Sequence, residues 1–338
     1  IGRKPIKHRN SERVKRNMLR VGVIGVGHLG QYHVGKYLNI PEVELVGVVD
    51  VDPGRARNLQ ERCGVKAYND HREILDKVDA VSIAVPTEAH FEVAVDVLSA
   101  GVHALIEKPI TYELERADRL IDLAREKNLV LQVGLVERFN PAVVKMKSFL
   151  NKPVFIESHR MNLFTPRGTD VDVVLDLMIH DLDIILHVIS SPVKELHAVG
   201  MSVITGKTDI ANARLIFESG TVANLTASRV SNEMLRKIRV FQPDAYISAN
   251  CGKRRCTLVR LDNDVVQPGV HPQLSSQQME FPDSDPLADE IASFVDVVRR
   301  GATPVVTGQH GRNALKIALE IIDQIERGCR DFESVCPS

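Results

Sequence analysis

Lys108, Asp176 and His180 are the side chains whose types and neighbours point most directly to chemistry. Taking hydride from a secondary alcohol requires a base for the hydroxyl proton, and the alkoxide that develops needs positive charge or hydrogen-bond donors beside it. Histidine titrates in the range such a base needs, so His180 can take the proton. Asp176 precedes it by four residues in a helical pattern and falls on the same face, where it can orient the imidazole or hold a substrate. Lys108, in Glu107-Lys108-Pro109 after an apolar run, can hydrogen-bond the reacting oxygen and stabilise its negative charge, or act as the base itself. The plain alternatives are a solvated turn around Lys108 and a surface pair at Asp176 and His180. A second pair at equal spacing, Asp183 and His187, follows in the same stretch, and spacing does not choose between the two.

Hydride needs an acceptor, and Gly25-Val26-Gly27-His28-Leu29-Gly30 is placed to hold one. The preceding Leu19–Ile24 reads as a buried strand, and a helix is expected over 29–38. A second strand, Val43–Val49, ends at Asp50, at roughly the twenty-residue interval where dinucleotide folds place an acid for the adenosine ribose. Gly25 suits the tight turn, Gly27 the close approach of a pyrophosphate, and Gly30 the packing of helix on sheet, with His28 and Leu29 opening the helix whose N-terminus faces the phosphates. Asp50 would repel a 2′-phosphate, which favours NAD over NADP. Arg55 has two readings, a partner for such a phosphate or a solvated residue in the first turn of the next helix.

These residues need a scaffold, and the apolar runs supply one. Strands are expected at 65–68, 80–85, 102–106 and 130–133, alternating with helices at Pro53–Cys63, 90–100 and 112–127. That alternation predicts a doubly wound parallel sheet with its ligand crevice outside the strand carboxyl ends, which gives weight to Pro86, Thr87, Glu107 and Lys108 as cofactor contacts. Beyond residue 135 the pattern changes to strand-like runs at 154–160, 193–203, 213–217, 221–228, 236–241 and 256–261, broken by one helix at 173–189. A second α/β domain with an open, largely antiparallel sheet follows, closed by helices at 285–300 and 308–327 that can pack back on the first domain. The expected division is a basic leader at 1–17, a Rossmann domain at 18–136, and a substrate-binding and oligomerisation domain at 137–338.

Composition narrows the function classes. Of 338 residues 44% are hydrophobic, as in ordinary globular proteins, and no apolar run is long enough to span a bilayer. The net charge of −1 divides into +6 over residues 1–17 and −7 over the rest, so the body is mildly acidic and argues against a nucleic-acid surface. The leader lacks the apolar stretch of a secretion signal and reads as an upstream extension or an expression remnant. Cys63, Cys251, Cys256, Cys329 and Cys336 are scattered and form no C-x-x-C pair, which suits reduced cytoplasmic thiols rather than a zinc site. Cys251 and Cys256 are spaced to face each other across a hairpin.

Three motifs in order, Gly25-x-Gly27-x-x-Gly30, Glu107-Lys108-Pro109 and Asp176-Leu-Met-Ile-His180-Asp181, resemble the Gfo/Idh/MocA oxidoreductase family. The resemblance extends over 18–327. It implies a Rossmann domain joined to an α/β domain whose open sheet forms a homodimer or homotetramer interface, and hydride transfer between NAD(P) and sugars or related polyols. It also selects Asp176 and His180 over Asp183 and His187, while Met178 departs from the glycine common in the family.

A narrower resemblance lies in Glu137-Arg138-Phe139-Asn140-Pro141, the stretch from Arg167 to Asp172, and Phe241-Gln-Pro-Asp-Ala-Tyr246. These are similar to the branch that oxidises C3 of UDP-N-acetylglucosamine. That similarity implies a UDP-linked sugar substrate contacted by Arg138, Asn140, Arg167, Asp176 and His180, since guanidinium forks suit a diphosphate. The alternative roles are a structural one for Arg138 and a solvated loop position for Arg167. Other functions compatible with the motifs are a dehydrogenase of another sugar or an inositol-like polyol, a coupled oxidoreductase with tightly bound NADP, and a non-catalytic NAD sensor.

Overall fold

The computed structural model describes residues 18–165, 171–261 and 274–335. Its chain divides into two compact units, Ile1–Gly134 with Leu287–Gln309 and Leu135–Pro286 with His310–Ser338.

The first unit is built on a six-stranded sheet in the order β3-β2-β1-β4-β5-β6, all parallel. The strands are β1 Leu19–Ile24, β2 Val43–Val49, β3 Lys66–Tyr68, β4 Ala80–Ile83, β5 His103–Glu107 and β6 Leu131–Gly134. The expected parallel sheet is therefore present, and its order reverses between β1 and β4, the switch point at which such sheets bind ligands. Helices His28–Tyr37, Pro53–Cys63, Thr87–Ser99 and Leu114–Glu126 return the chain from strand to strand. The second of these starts where the Asp52 carboxylate caps the Gly54 amide with Pro53 in the first turn, and ends at Gly64 in the left-handed region. Val21, Val23, Val34, Val48 and Leu105 share a core with Ile291, Phe294, Val295 and Val297 of the later helix Pro286–Arg300.

The second unit is an eight-stranded sheet in the order β14-β13-β12-β11-β7-β10-β9-β8. Its strands are β7 Phe155–Leu163, β8 Val193–Met201, β9 Ile210–Phe217, β10 Val222–Ser231, β11 Leu235–Gln242, β12 Ala245–Asn250, β13 Arg255–Leu261 and β14 Leu274–Glu280. Every neighbouring pair is antiparallel except β7 and β10. Strands β12 and β14 and the helix Pro141–Phe149 are additions to the sequence expectation. Across the β12–β13 hairpin Cys256 pairs with Ala249, and Cys251 lies in the turn, so the two cysteines are not opposite each other. Among the described residues no helix is long and apolar enough to cross a membrane.

The expected helix over 173–189 is present with a difference that concerns the chemistry. Val174–Met178 is a π-helical turn, followed by α-helix over Ile179–Val188. Such turns recur at functional sites because they displace side chains from regular helical register. Asp172 prepares this start: its carboxylate accepts the Val174 amide at 2.9 Å.

Candidate active site

In the first unit the glycine-rich turn is dictated by backbone crowding. Gly25 has φ of +84°, and a Cβ there would lie 2.7 Å from the Ala84 and Val85 backbone. A Cβ at Gly30 would lie 1.9 Å from the Gly25 carbonyl oxygen, so only glycine lets the helix approach the turn. Gly27 differs: a Cβ there meets only the Arg55 guanidinium, at 3.8 Å. The open side of the turn is thus at Gly27, which caps helix His28–Tyr37 without any side-chain hydrogen bond. Bare amides at a helix N-terminus, with an approachable glycine beside them, fit a pyrophosphate. His28 and Leu29 are exposed in that first turn.

Asp50 closes the other side. Its carboxylate is only 6% exposed and accepts the Val26 amide on one oxygen and the Asp52 amide on the other, both at 2.9 Å. Each oxygen keeps a second lone pair, so the carboxylate is held rigid while still able to accept from a ribose hydroxyl. Arg55 makes an exposed ion pair with Asp52 at 3.4 Å. Pro86 and Thr87 follow β4, and Thr87 begins a helix that also lacks a side-chain cap.

Lys108 follows β5 and is half-buried, and its peptide bond to Pro109 is cis. Glu107, expected at the cofactor, points inward instead: one carboxylate oxygen accepts His33 Nε2–H at 2.9 Å and the other the Lys108 amide at 3.2 Å. Burial acts to raise its pKa, but the His33 hydrogen bond and the nearby positive charge outweigh it and keep the carboxyl below its usual range. Glu107 is correspondingly an internal support of the loop. His33 and His90 were not singled out from the sequence. Both head or continue buried helical stripes, Gly30, His33, Val34 and Tyr37 in one helix and His90, Val93, Ala94, Val97 and Leu98 in the other. A histidine inside an apolar stripe was the available signal.

In the second unit the two Asp/His pairs separate. Asp183 accepts Arg138 Nε–H at 2.7 Å with both side chains at most 3% exposed. His187 lies in hydrogen-bond contact with Lys147 and edge-on to His310 at 6.1 Å. Burial, with the charges of Arg138 and Lys147, lowers the His187 pKa to about 4. Asp181 takes a bidentate grip from Arg160, at 3.0 and 2.6 Å, and Arg160 also reaches Glu137 at 2.8 Å. These internal ion pairs fix helix Ile179–Val188 to β7 and to the turn Val136–Phe139. Asp176 and His180 remain half-buried while Leu175, Leu177, Met178, Ile179 and Asp181 around them are buried, so the two share the accessible side of this segment. Met178 fills the interior where a glycine was the family expectation.

Of the substrate contacts expected at Arg138 and Asn140, Asn140 is engaged within the protein: it caps the Ala142 amide and donates to Glu137 and the Cys251 carbonyl. Arg138 is buried and gives its Nε–H to Asp183, while its two terminal nitrogens have no hydrogen-bond partner among the described residues. Arg167 lies outside the described residues.

Residues 19–135 match the profile of an oxidoreductase family with an NAD-binding Rossmann fold, and residues 146–247 match that of the GFO/IDH/MocA C-terminal domain. The UDP-N-acetylglucosamine 3-dehydrogenase of Acidithiobacillus ferrooxidans is 38% identical over 309 residues, covering 91% of this chain and 97% of its own. A solved structure of that enzyme has a TM-score of 0.86 and covers 92% of this chain and 98% of that one. The myo-inositol 2-dehydrogenase of Thermotoga maritima is 27% identical, covering 91% of this chain and 96% of its own. With both of its domain types matched and a relative of that identity along nearly its whole length, the chain belongs to the Gfo/Idh/MocA family of oxidoreductases.

Proposed function

We propose that the chain is an NAD-dependent dehydrogenase that oxidises the C3 hydroxyl of UDP-N-acetylglucosamine to a 3-keto sugar. The observation carrying the chemistry is that Asp176 and His180 are half-buried within a segment whose Leu175, Leu177, Met178, Ile179 and Asp181 are buried, whereas Asp183 is enclosed in an ion pair with Arg138. The substrate reading rests on the 38% identical relative that acts on this nucleotide sugar. A polyol of the inositol type is the second reading, supported by the 27% identical relative.

When bound, the nicotinamide accepts the hydride. The Gly25–Gly30 turn and the helix it opens receive the pyrophosphate, Asp50 takes the ribose hydroxyls, and Pro86 and Thr87 border the nucleotide. Lys108 donates a hydrogen bond to the C3 oxygen and stabilises the negative charge that develops there. His180 takes the hydroxyl proton, with Asp176 orienting the imidazole. Arg138 and Arg167 are the candidates for the diphosphate.

The oligomer expected through the second sheet has a physical basis in the strand register. Leu163, Val199, Met201, Phe241, Leu261 and Leu274 fall on one face of the eight strands and are exposed there, interspersed with charged residues such as Glu157, Arg214, Lys237 and Arg239, a mixed face suited to a second copy. The cysteine pattern suits action in the cytoplasm. A screen of nucleotide sugars and free polyols with NAD and NADP, followed by absorbance of the reduced nicotinamide, tests the assignment; turnover of polyols alone would overturn the nucleotide-sugar reading.

A further inference from the structure

Two buried histidines on separate helices converge on the loop that carries Lys108. His33 Nε2 lies 2.9 Å from Glu107 Oε1, and its Nδ1 lies 3.1 Å from Ser82 Oγ, which in turn lies 2.8 Å from the Tyr37 hydroxyl. An ionised carboxylate only accepts, so Nε2 carries a proton and donates it to Glu107, while Nδ1 and the Tyr37 hydroxyl both meet the Ser82 hydroxyl, which can donate as well as accept. Its end is fixed to the loop, because Glu107 Oε2 accepts the Lys108 amide at 3.2 Å.

The other flank of Lys108 is held by His90. Its Nδ1 lies 2.9 Å from the Pro109 carbonyl oxygen and its Nε2 lies 3.0 Å from the Val85 carbonyl oxygen. Both partners are carbonyl oxygens, so the neutral ring that burial favours donates to one of them and packs against the other, lying between the loop after β5 and the loop after β4, the two strand ends that border the nucleotide crevice. His90 is 1% exposed, so the ring is enclosed. The helices differ in what else they hold: His33 sits on the helix whose N-terminus faces the glycine-rich turn, and His90 follows Pro86 and Thr87 by about one turn.

We propose that His33 and His90 are positioning residues for hydride transfer, clamping Glu107-Lys108-Pro109 from both sides and tying the place of the Lys108 amine to the elements that hold the nucleotide. The proposal rests on Lys108 acting at the reacting oxygen. A reacting group must be held to within a fraction of an ångström, and a displacement of about 1 Å can cost roughly a hundredfold in rate. Neither histidine touches the reacting atoms, so each acts on turnover through Lys108.

The test compares His33→Ala, His90→Ala, Glu107→Gln and Lys108→Ala with wild type. Four quantities are measured: kcat, the NAD dissociation constant by calorimetry, the melting temperature, and amide exchange over residues 104–112. Expected for both histidine variants is a fall in kcat of roughly ten- to a hundredfold. Their NAD dissociation constants should stay within about threefold and exchange in the loop should quicken. His33→Gln, which keeps a donor for Glu107, should recover most of the loss. Should an alanine variant not fold, Glu107→Gln carries the test, since it keeps the volume and removes the charged acceptor. Turnover within about twofold of wild type in these variants, with Lys108→Ala inactive, overturns the clamp, as does a fall in kcat matched by an equal loss of NAD affinity. Full turnover by Lys108→Ala would instead overturn the role of Lys108 on which the clamp depends.

Discussion

Arg138 donates from Nε to Asp183 at 2.7 Å inside the second unit, and this pair encloses the aspartate of one of the two equally spaced aspartate and histidine sets. Along one helical segment the later acids, Asp181 and Asp183, are buried and anchored to arginines, and the earlier Asp176 and His180 are half-buried.

Asp183→Ala leaves the buried Arg138 charge without its partner, which typically costs about 3 to 5 kcal/mol and should lower the melting temperature by roughly 10 °C or more. In Arg138→Ala the loss should be smaller, because burial already raises the Asp183 pKa to about 6 and the carboxyl can protonate. Replacing both by apolar residues of similar volume, Arg138→Met with Asp183→Leu, should recover most of that loss. Thermal melts of the three variants check this; equal loss in the single and double variants would show that the pair is not the source.

The half-buried His187, with its pKa lowered to about 4 by burial and by the charges of Arg138, Lys147 and His310, links stability to pH. The unfolded chain takes up this proton near pH 6.5 and the folded chain does not until about pH 4, so the stabilisation is complete above pH 6.5 and is lost as pH falls between those values. Solvent screening at a half-exposed site reduces its size. His187→Gln should therefore lose less stability than wild type between pH 7 and pH 4.5, measured as the shift of the urea midpoint. The same shift in both proteins would contradict the assignment.

Gly27 and Gly30 should fail differently. Gly30→Ala places a methyl group 1.9 Å from the Gly25 carbonyl, so the turn itself must move and both folding and NAD binding suffer. At Gly27 a methyl group has room in the protein, its nearest neighbour being Arg55 at 3.8 Å, but it occupies the approach of the pyrophosphate. Gly27→Ala should melt like wild type yet bind NAD at least tenfold more weakly. Unchanged NAD affinity in this variant would mean the phosphates lie elsewhere.

Cofactor preference should rest on Asp50, whose carboxylate the Val26 and Asp52 amides hold beside the turn. Wild type should prefer NAD, and Asp50→Ala should narrow the difference by removing both the ribose acceptor and the repulsion of a 2′-phosphate. The ratio of kcat/KM for NAD and NADP is the measurement, and equal or better use of NADP by wild type would count against it.

Much of this was legible in the residues, for identifiable reasons. The strands of the parallel sheet are short apolar runs buried on both faces, so Leu19–Ile24 and Val43–Val49 stand out without any partner being known. By contrast, Leu274–Glu280 is an edge strand of Ser, Gln and Glu with one half-buried residue, Met279, and it shows no alternation to read. Helix Pro141–Phe149 did carry its signal, an Asn140 cap followed by proline, which the wider motif around it obscured. The inward turn of Arg138 and Glu107 was beyond local reading, because it depends on Asp183 and His33, which lie 45 and 74 residues away. Types and spacing identified residues with chemical potential, and long-range pairing decided which of them the fold keeps for itself.

The most direct measurement is the specificity constant with NAD for UDP-N-acetylglucosamine against free N-acetylglucosamine and inositols, in wild type, Lys108→Ala, His180→Ala and His187→Ala, with the oxidised carbon identified in the product. The expected result is a strong preference for the nucleotide sugar with a keto group at C3. Turnover should fall about a hundred- to ten-thousandfold in the Lys108 and His180 variants and change little in His187→Ala. Equal oxidation of a free polyol, reaction at another carbon, or a His187 variant as impaired as the His180 variant would contradict it.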